Sequence, residues 1–193
     1  MISRRWTMKT LNTVSLFSGI EGFSLGLALA GIPTNTILYV EQDKNAIDII
    51  RARIKDGYLQ DAPIFTDVRD LSGLCLSSCV DLVHCGSPCP PFSTNNNGAR
   101  QGPTDPRNLF PEVWRLVREM EYPRYILLEN VAAINAASRS RPEPYSKTII
   151  DTLFEMGYGR INWGTLTASA AGANHKRDRF FLLGEHVAHP DQG

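Results

Sequence analysis

The sequence predicts an α/β domain built on a mostly parallel, doubly wound sheet. Three observations predict it. Short runs rich in apolar and β-branched residues alternate with longer runs of helical period. The first apolar run opens into a Gly-punctuated loop that leads straight into a helix. The residues best suited to chemistry sit just after apolar runs, where open parallel sheets bind their ligands. With 193 residues, 42% hydrophobic and 21% charged, the chain has the material for one globular domain with a proper core.

The elements follow in order. Residues 13–17 form the first strand, residues 18–22 the loop, and residues 23–30 a small-residue helix. Gly31 serves as its C-cap and Pro33 as its stop. Residues 36–40 form a second strand. Residues 45–54 place Ala46, Ile47, Ile50 and Ile54 on one helical face. Residues 64–66 make a short third strand and 80–85 an apolar fourth. Residues 93–107 hold three Asn, two Gly and two Pro, which suits a mobile surface loop.

A helix is expected over 108–121, with Leu109, Val113, Leu116, Val117 and Met120 on one side. A fifth strand spans 125–128, a polar loop 134–144, and a helix 145–156 ending at Gly157. Two last strands fall at 162–168 and 179–183. One domain therefore covers 1–185, and 186–193 reads as the truncated start of a further region.

Composition excludes several classes. No apolar run approaches the ~18–20 residues that cross a bilayer. The basic stretch 1–9 lacks the apolar core and cleavage site of a signal peptide, so a cytoplasmic location is expected. Net charge is zero. DNA-binding proteins of this size are often basic, so any DNA-gripping portion is expected elsewhere. Cysteines at 75, 79, 85 and 89 have neither CxxC spacing nor a histidine pair, so no metal site is expected. Cys75, Cys79 and Cys85 are expected as buried free thiols.

Four segments carry chemistry. In Ser15-Leu16-Phe17-Ser18-Gly19-Ile20-Glu21-Gly22, a strand, a glycine loop and a helix start turn backbone N–H groups toward a ligand. Glu41, nineteen residues beyond Gly22, can accept both ribose hydroxyls of a nucleoside. The spacing does not choose the nucleoside. Asp67 either bonds an adenine amine or caps a helix. In Cys85-Gly86-Ser87-Pro88-Cys89-Pro90-Pro91-Phe92-Ser93, prolines on both sides of Cys89 hold its sulfur in place, as a nucleophile requires. In Leu127-Leu128-Glu129-Asn130-Val131, partial burial at a strand end would raise the pKa of Glu129 and make it an acid near neutral pH. In the strand beginning at Arg177, Arg177 and Arg179 are expected to share a face, where they either grip a phosphate, hold a pyrimidine carbonyl and a carboxylate, or simply form a solvated basic edge.

Together and in this order, these segments resemble the DNA (cytosine-5)-methyltransferase family from about Val14 to Gly184. SLFSGIEG resembles its cofactor loop, VEQDKNA its ribose segment and TDVRDL its adenine segment. CGSPCPPFS resembles the nucleophile loop, RNLFPEVWRLV the helix after it, LLENV the acid motif and HKRDRFFLLG the basic strand.

The resemblance implies the Rossmann-like S-adenosylmethionine-dependent methyltransferase fold, with an antiparallel C-terminal strand. It also implies methylation of carbon 5 of a flipped cytosine in double-stranded DNA, in a prokaryotic or phage-infected cell. Catalytic roles fall to Cys89 as nucleophile, Glu129 as acid, and Arg177 and Arg179 as base-orienting groups. Phe17, Ser18, Gly19, Gly22, Glu41, Gln42, Asp67, Val68, Pro88 and Leu109 would form the S-adenosylmethionine site. The polar loop at 93–107 would close over the base.

The sequence departs from the family at several positions. Ser15 stands where aspartate is common and Glu21 where glycine is common. Pro90 and His175 each replace a usual glutamine. The family's target recognition domain and its last two motifs are not found, so a complementing subunit is an implied partner. Two rival readings stay open: a nicotinamide-dependent oxidoreductase, which has no use for Cys89 or LLENV, and a non-catalytic fragment that binds cofactor or a partner only.

Overall fold

A computed structural model describes residues 9–88, 107–137 and 142–187. Seven strands form one sheet in the order β3-β2-β1-β4-β5-β7-β6. They are β1 (Leu11–Leu16), β2 (Thr34–Val40), β3 (Ile64–Phe65), β4 (Leu82–Cys85), β5 (Tyr125–Val131), β6 (Arg160–Thr167) and β7 (Asp178–Glu185). The first five are parallel, while β7 runs antiparallel between β5 and β6. Four helices accompany them: α1 (Gly22–Leu29), α2 (Lys44–Lys55), α3 (Phe110–Glu119) and α4 (Tyr145–Glu155). Among the described residues, no helix is long and apolar enough to cross a membrane.

Local chemistry accounts for the helices. Asp43 caps α2 by accepting the Ala46 N–H at 2.9 Å, Arg53 and Lys55 offset the dipole in its last turn, and Ile47 and Ile50 are buried. In α3 a proline stands at the first turn, with Glu112 there and Arg118 in the last turn. Its Val113, Leu116 and Val117 join one core cluster with Ile149 and Leu153 of α4, Ile126 and Leu128 of β5, and Phe180 and Leu182 of β7.

The opposite face of the sheet is less covered. There Leu11, Leu27, Ile32, Leu127 and Leu183 line an apolar cleft beside α1. Leu25 and Leu29 of α1 are 62% and 81% exposed. His84 of β4 is buried on this side under Phe23, and burial pushes its imidazole down to about 4. His84 Nε2 has no partner among the described residues.

Three expectations need correction. β5 runs on to Val131 rather than ending at Leu128, because β7 pairs with it through Glu129↔Phe181, Asn130↔Phe180 and Val131↔Arg179. The expected polar loop 134–144 begins inside a 3-10 turn, Ala132–Asn135, whose Ile134 is fully buried. Cys75 and Cys79 are exposed, and only Cys85 is buried. The first two lie at the short 3-10 turn Leu74–Leu76 that joins β3 to β4 over the surface, whereas Cys85 closes a central strand.

Arg115 ties α3 to the segment after β3. Its guanidinium donates to Val68 O (3.0 Å), Leu71 O (2.9 Å), Glu112 Oε2 (2.9 Å) and Glu119 Oε1 (2.9 Å). Glu119 Oε2 in turn accepts the Gly73 N–H at 2.7 Å. Arg115→Met removes a donor from two carbonyls and two carboxylates. It is expected to cost about 1–3 kcal/mol of stability, read as a lower midpoint in urea unfolding.

Candidate active site

The register of the parallel strands lines up the candidate residues. Leu16 stands opposite Val40 and Cys85, Val40 opposite Phe65, and Cys85 opposite Leu128. The next residue on each strand is therefore Phe17, Glu41, Thr66, Gly86 or Glu129, all at one carboxyl edge. Backbone bonds continue the alignment. Ser18 N–H donates to Val40 O (3.0 Å), Glu41 N–H to Phe65 O (2.9 Å) and Gly86 N–H to Leu16 O (3.3 Å). Chain order runs outward from β1 to β2 and β3 on one side, and to β4 and β5 on the other. The β1/β4 seam is thus the switch point where open sheets bind ligands.

On the β1–β3 side a small cleft is lined by Phe17, Val40, Gln42, Thr66, Asp67, Val68, Arg69 and Leu109. It gathers five of the residues expected to form the cofactor site. Its floor is apolar and its rim polar, which suits a flat heteroaromatic ring with an exocyclic amine. The glycine loop beside it is tightly wound, with Phe17 (φ 53), Gly19 (φ 55) and Glu21 (φ 64) all left-handed. Gly22 opens α1. Ser18 Oγ accepts the Val40 N–H at 3.2 Å and pins the loop to β2.

Glu41 is engaged by backbone donors, taking Gly19 N–H on Oε2 (2.7 Å) and Asp43 N–H on Oε1 (2.8 Å). Asp67 grips Arg69 through both its oxygens, at 2.9 Å each, and these bonds hold its carboxyl below the usual range.

On the other side of the seam Glu129 Oε1 meets Arg179 Nε at 2.7 Å. Two influences compete on Glu129. Burial raises its pKa, while Arg179 and Arg177 lower it, and burial prevails. A Cβ built on Gly86 would lie 3.5 Å from Phe17 O and 3.9 Å from Glu129 Oε2. The loop after β1, the start of the loop after β4 and Glu129 therefore share one small region.

Arg177 departs from its expected place. β7 starts at Asp178, and Arg177 is an exposed residue with φ 37 just before it. Strand alternation thus does not pair it with Arg179. The turn rather than the strand brings its charge within reach of Glu129. Pro88 is half-buried after β4, while Cys89 and most of the 93–107 loop lie outside the described residues.

Sequence reasoning gave no role to Asn130. It is 2% exposed, and its Nδ2 donates to Ser87 O at 3.2 Å, tying β5 to the segment that follows β4. Its place in LLENV was the available signal; the partner was not readable.

Comparison with known proteins agrees with this arrangement. The family model for C-5 cytosine-specific DNA methylase matches residues 11–191. Among similar proteins, Type II methyltransferase M.NaeI of Lentzea aerocolonigenes is 36% identical over 178 residues, covering 91% of this chain and 40% of that protein. Type II methyltransferase M.CviJI of Paramecium bursaria Chlorella virus IL3A is 31% identical over 176 residues, covering 90% and 43%.

The structure of S. pombe Dnmt2 methyltransferase superposes with a TM-score of 0.71 at 22% identity, over 95% of this chain and 52% of that one. That of Entamoeba histolytica methyltransferase EhMeth gives 0.70 at 19%, over 96% and 56%. The fold is therefore shared with these two methyltransferase structures, and this chain spans about half the length of these proteins or less. A family match over nearly the whole length, on a sheet that brings the motif residues described here to one edge, means that the chain belongs to the C-5 cytosine-specific DNA methylase family.

Proposed function

We propose that this chain is the catalytic part of a DNA (cytosine-5)-methyltransferase. It would transfer a methyl group from S-adenosylmethionine to carbon 5 of a cytosine flipped out of double-stranded DNA. The observation that carries the reading is the Glu129–Arg179 pair, set across the β1/β4 seam from a small cleft lined by Phe17, Asp67, Val68 and Leu109. A nicotinamide oxidoreductase would have no use for that pair.

Phe17, Asp67, Val68 and Leu109 would enclose the adenine, with Gln42 at the rim, Glu41 on the ribose, and Ser18, Gly19, Gly22 and Pro88 along the rest of the donor. When bound, S-adenosylmethionine supplies an electrophilic methyl group. The chain's own residues make cytosine able to accept it. Cys89 adds to carbon 6 as its thiolate, and the displaced ring electrons move toward nitrogen 3. Glu129 gives nitrogen 3 its proton, an interaction made mainly in the transition state. Arg179, with Arg177, orients the base and Glu129. After methylation, loss of the carbon-5 proton, expulsion of the thiolate and return of the nitrogen-3 proton to Glu129 restore the aromatic ring. A stacked base cannot be reached this way, so flipping is required, at a cost of a few kcal/mol.

Target recognition would come from a complementing subunit or from another part of the protein. The apolar cleft along Leu27, Leu127 and Leu183 offers a covering surface for that part.

Three outcomes test the reading. Duplex DNA carrying 5-fluorocytosine traps a covalent adduct with the chain plus the recognition half of a type II relative, and Cys89→Ser abolishes it. No adduct under those conditions would favour the non-catalytic fragment. The isolated chain methylates unmethylated DNA poorly, and robust turnover alone would refute the need for a further part.

Glu129→Gln slows adduct formation about 10²–10⁴-fold in rapid-quench assays. The same substitution also reports on stability, because burial raises the folded-state pKa of Glu129 above the ordinary 4.5. Wild type therefore gains relative to Glu129→Gln at low pH. The gain is complete below about 4.5 and is lost as pH rises through the raised value, as denaturant titrations at several pH values would record.

A further inference from the structure

Glu21 adopts a conformation that a side chain reaches only at a cost, φ 64 and ψ 41 in the left-handed region. It stands at the N-cap of α1, yet its carboxylate makes no cap bond to that helix. The side chain turns inward and is 3% exposed. There it accepts hydrogen bonds from Ser15 Oγ near the end of β1 and Ser24 Oγ in the first turn of α1. Its backbone N–H donates to Ser18 O at 2.9 Å, and Ser18 is itself bound to β2 through Val40. Ser18 Oγ also donates to Ser15 O at 3.1 Å. One residue thus joins β1, the loop and α1, and the adjoining serine joins β2. The next link is Gly19 N–H on Glu41.

We propose that Glu21 is a positioning residue of the cofactor site. Its buried carboxylate clamps β1 to α1 and so fixes the Phe17–Gly22 loop in the shape that presents Gly19 to Glu41. The ligand's identity rests on the function proposed above, whereas the clamp itself does not. Burial pushes the Glu21 carboxyl up against the hydrogen bonds of Ser15, Ser24 and Ser18. The Tyr39 phenol is pushed up to about 12, by burial first and then by the nearby Glu21.

The clamp needs a carboxylate in this pocket, not a side chain at 21 as such. Ser15 Oγ already touches the Glu21 carboxylate. An acid at position 15 would therefore fill the same pocket, and a glycine at 21 would adopt the left-handed turn freely. The departures from the family pattern at 15 and 21 are then a single exchange, with the carboxylate moved from the strand to the loop.

The test compares wild type, Glu21→Gly, Ser15→Asp and the double variant in the full chain. Amide hydrogen exchange is read first, without cofactor. Glu21→Gly should speed exchange of the Ser18 and Gly19 amides at least tenfold relative to the core amides of β4. Ser15→Asp alone crowds two carboxylates and should do the same, while the double variant should recover protection to within threefold of wild type. Unchanged protection in Glu21→Gly, or a double variant no better than Glu21→Gly, overturns the proposal.

Equilibrium dialysis with S-adenosylmethionine is read second, and dissociation constants should follow the same order. Binding absent from all four proteins, with the exchange pattern intact, would sink the cofactor reading and leave the clamp standing. Binding equal in all four would sink the clamp's role in positioning.

Discussion

Five parallel strands held in one register set everything else in this molecule. The row of Phe65, Val40, Leu16, Cys85 and Leu128 is fixed by backbone hydrogen bonds, so it does not depend on any one side chain. Whatever follows each strand is delivered to the same edge. The chain leaves β1 in one direction and returns at β4 for the other, so no crossover covers the seam between them. A slip of one residue in any strand would turn its loop residues to the wrong face, and the buried alternation along β5 and β7 resists that slip.

Three glutamates near this edge show how environment divides labour among identical groups. Glu41 is held by two backbone N–H donors at the rim, as suits an acceptor for hydroxyls. Glu129 is partly buried and faces arginine, so that loss of solvent outweighs the neighbouring charge and favours the protonated form. Glu21 is more deeply buried and bound to serine hydroxyls, and serves shape rather than chemistry. The differences come from depth below the surface and from partners, not from the side chain.

The two faces of the sheet are unequal. α3 and α4 bury one face in a continuous core. The other carries α1, whose Leu25 and Leu29 remain exposed, and an apolar cleft along Leu27, Leu127 and Leu183. Apolar surface of this kind can take a covering partner, and the chain spans about half the length of its relatives or less. Net charge is zero, so the chain carries no excess of cations for a strong electrostatic grip on DNA.

The sequence by itself determined the alternation of strands and helices, the glycine loop with Glu41 nineteen residues on, and the acid in LLENV. These are local signals of period, punctuation and spacing. Element ends were less legible, since pairing with β7 carried β5 past Leu128 and a turn rather than a strand placed Arg177. Partnerships were not legible at all. Ser15 with Glu21 and Ser24, Asn130 with Ser87, and Arg115 with the carbonyls of Val68 and Leu71 join residues whose neighbours are chosen by packing. Hydrophobic period fixes which face of an element is buried, but only the assembled layers fix which side chain stands across from it, and that decided how the site is held together.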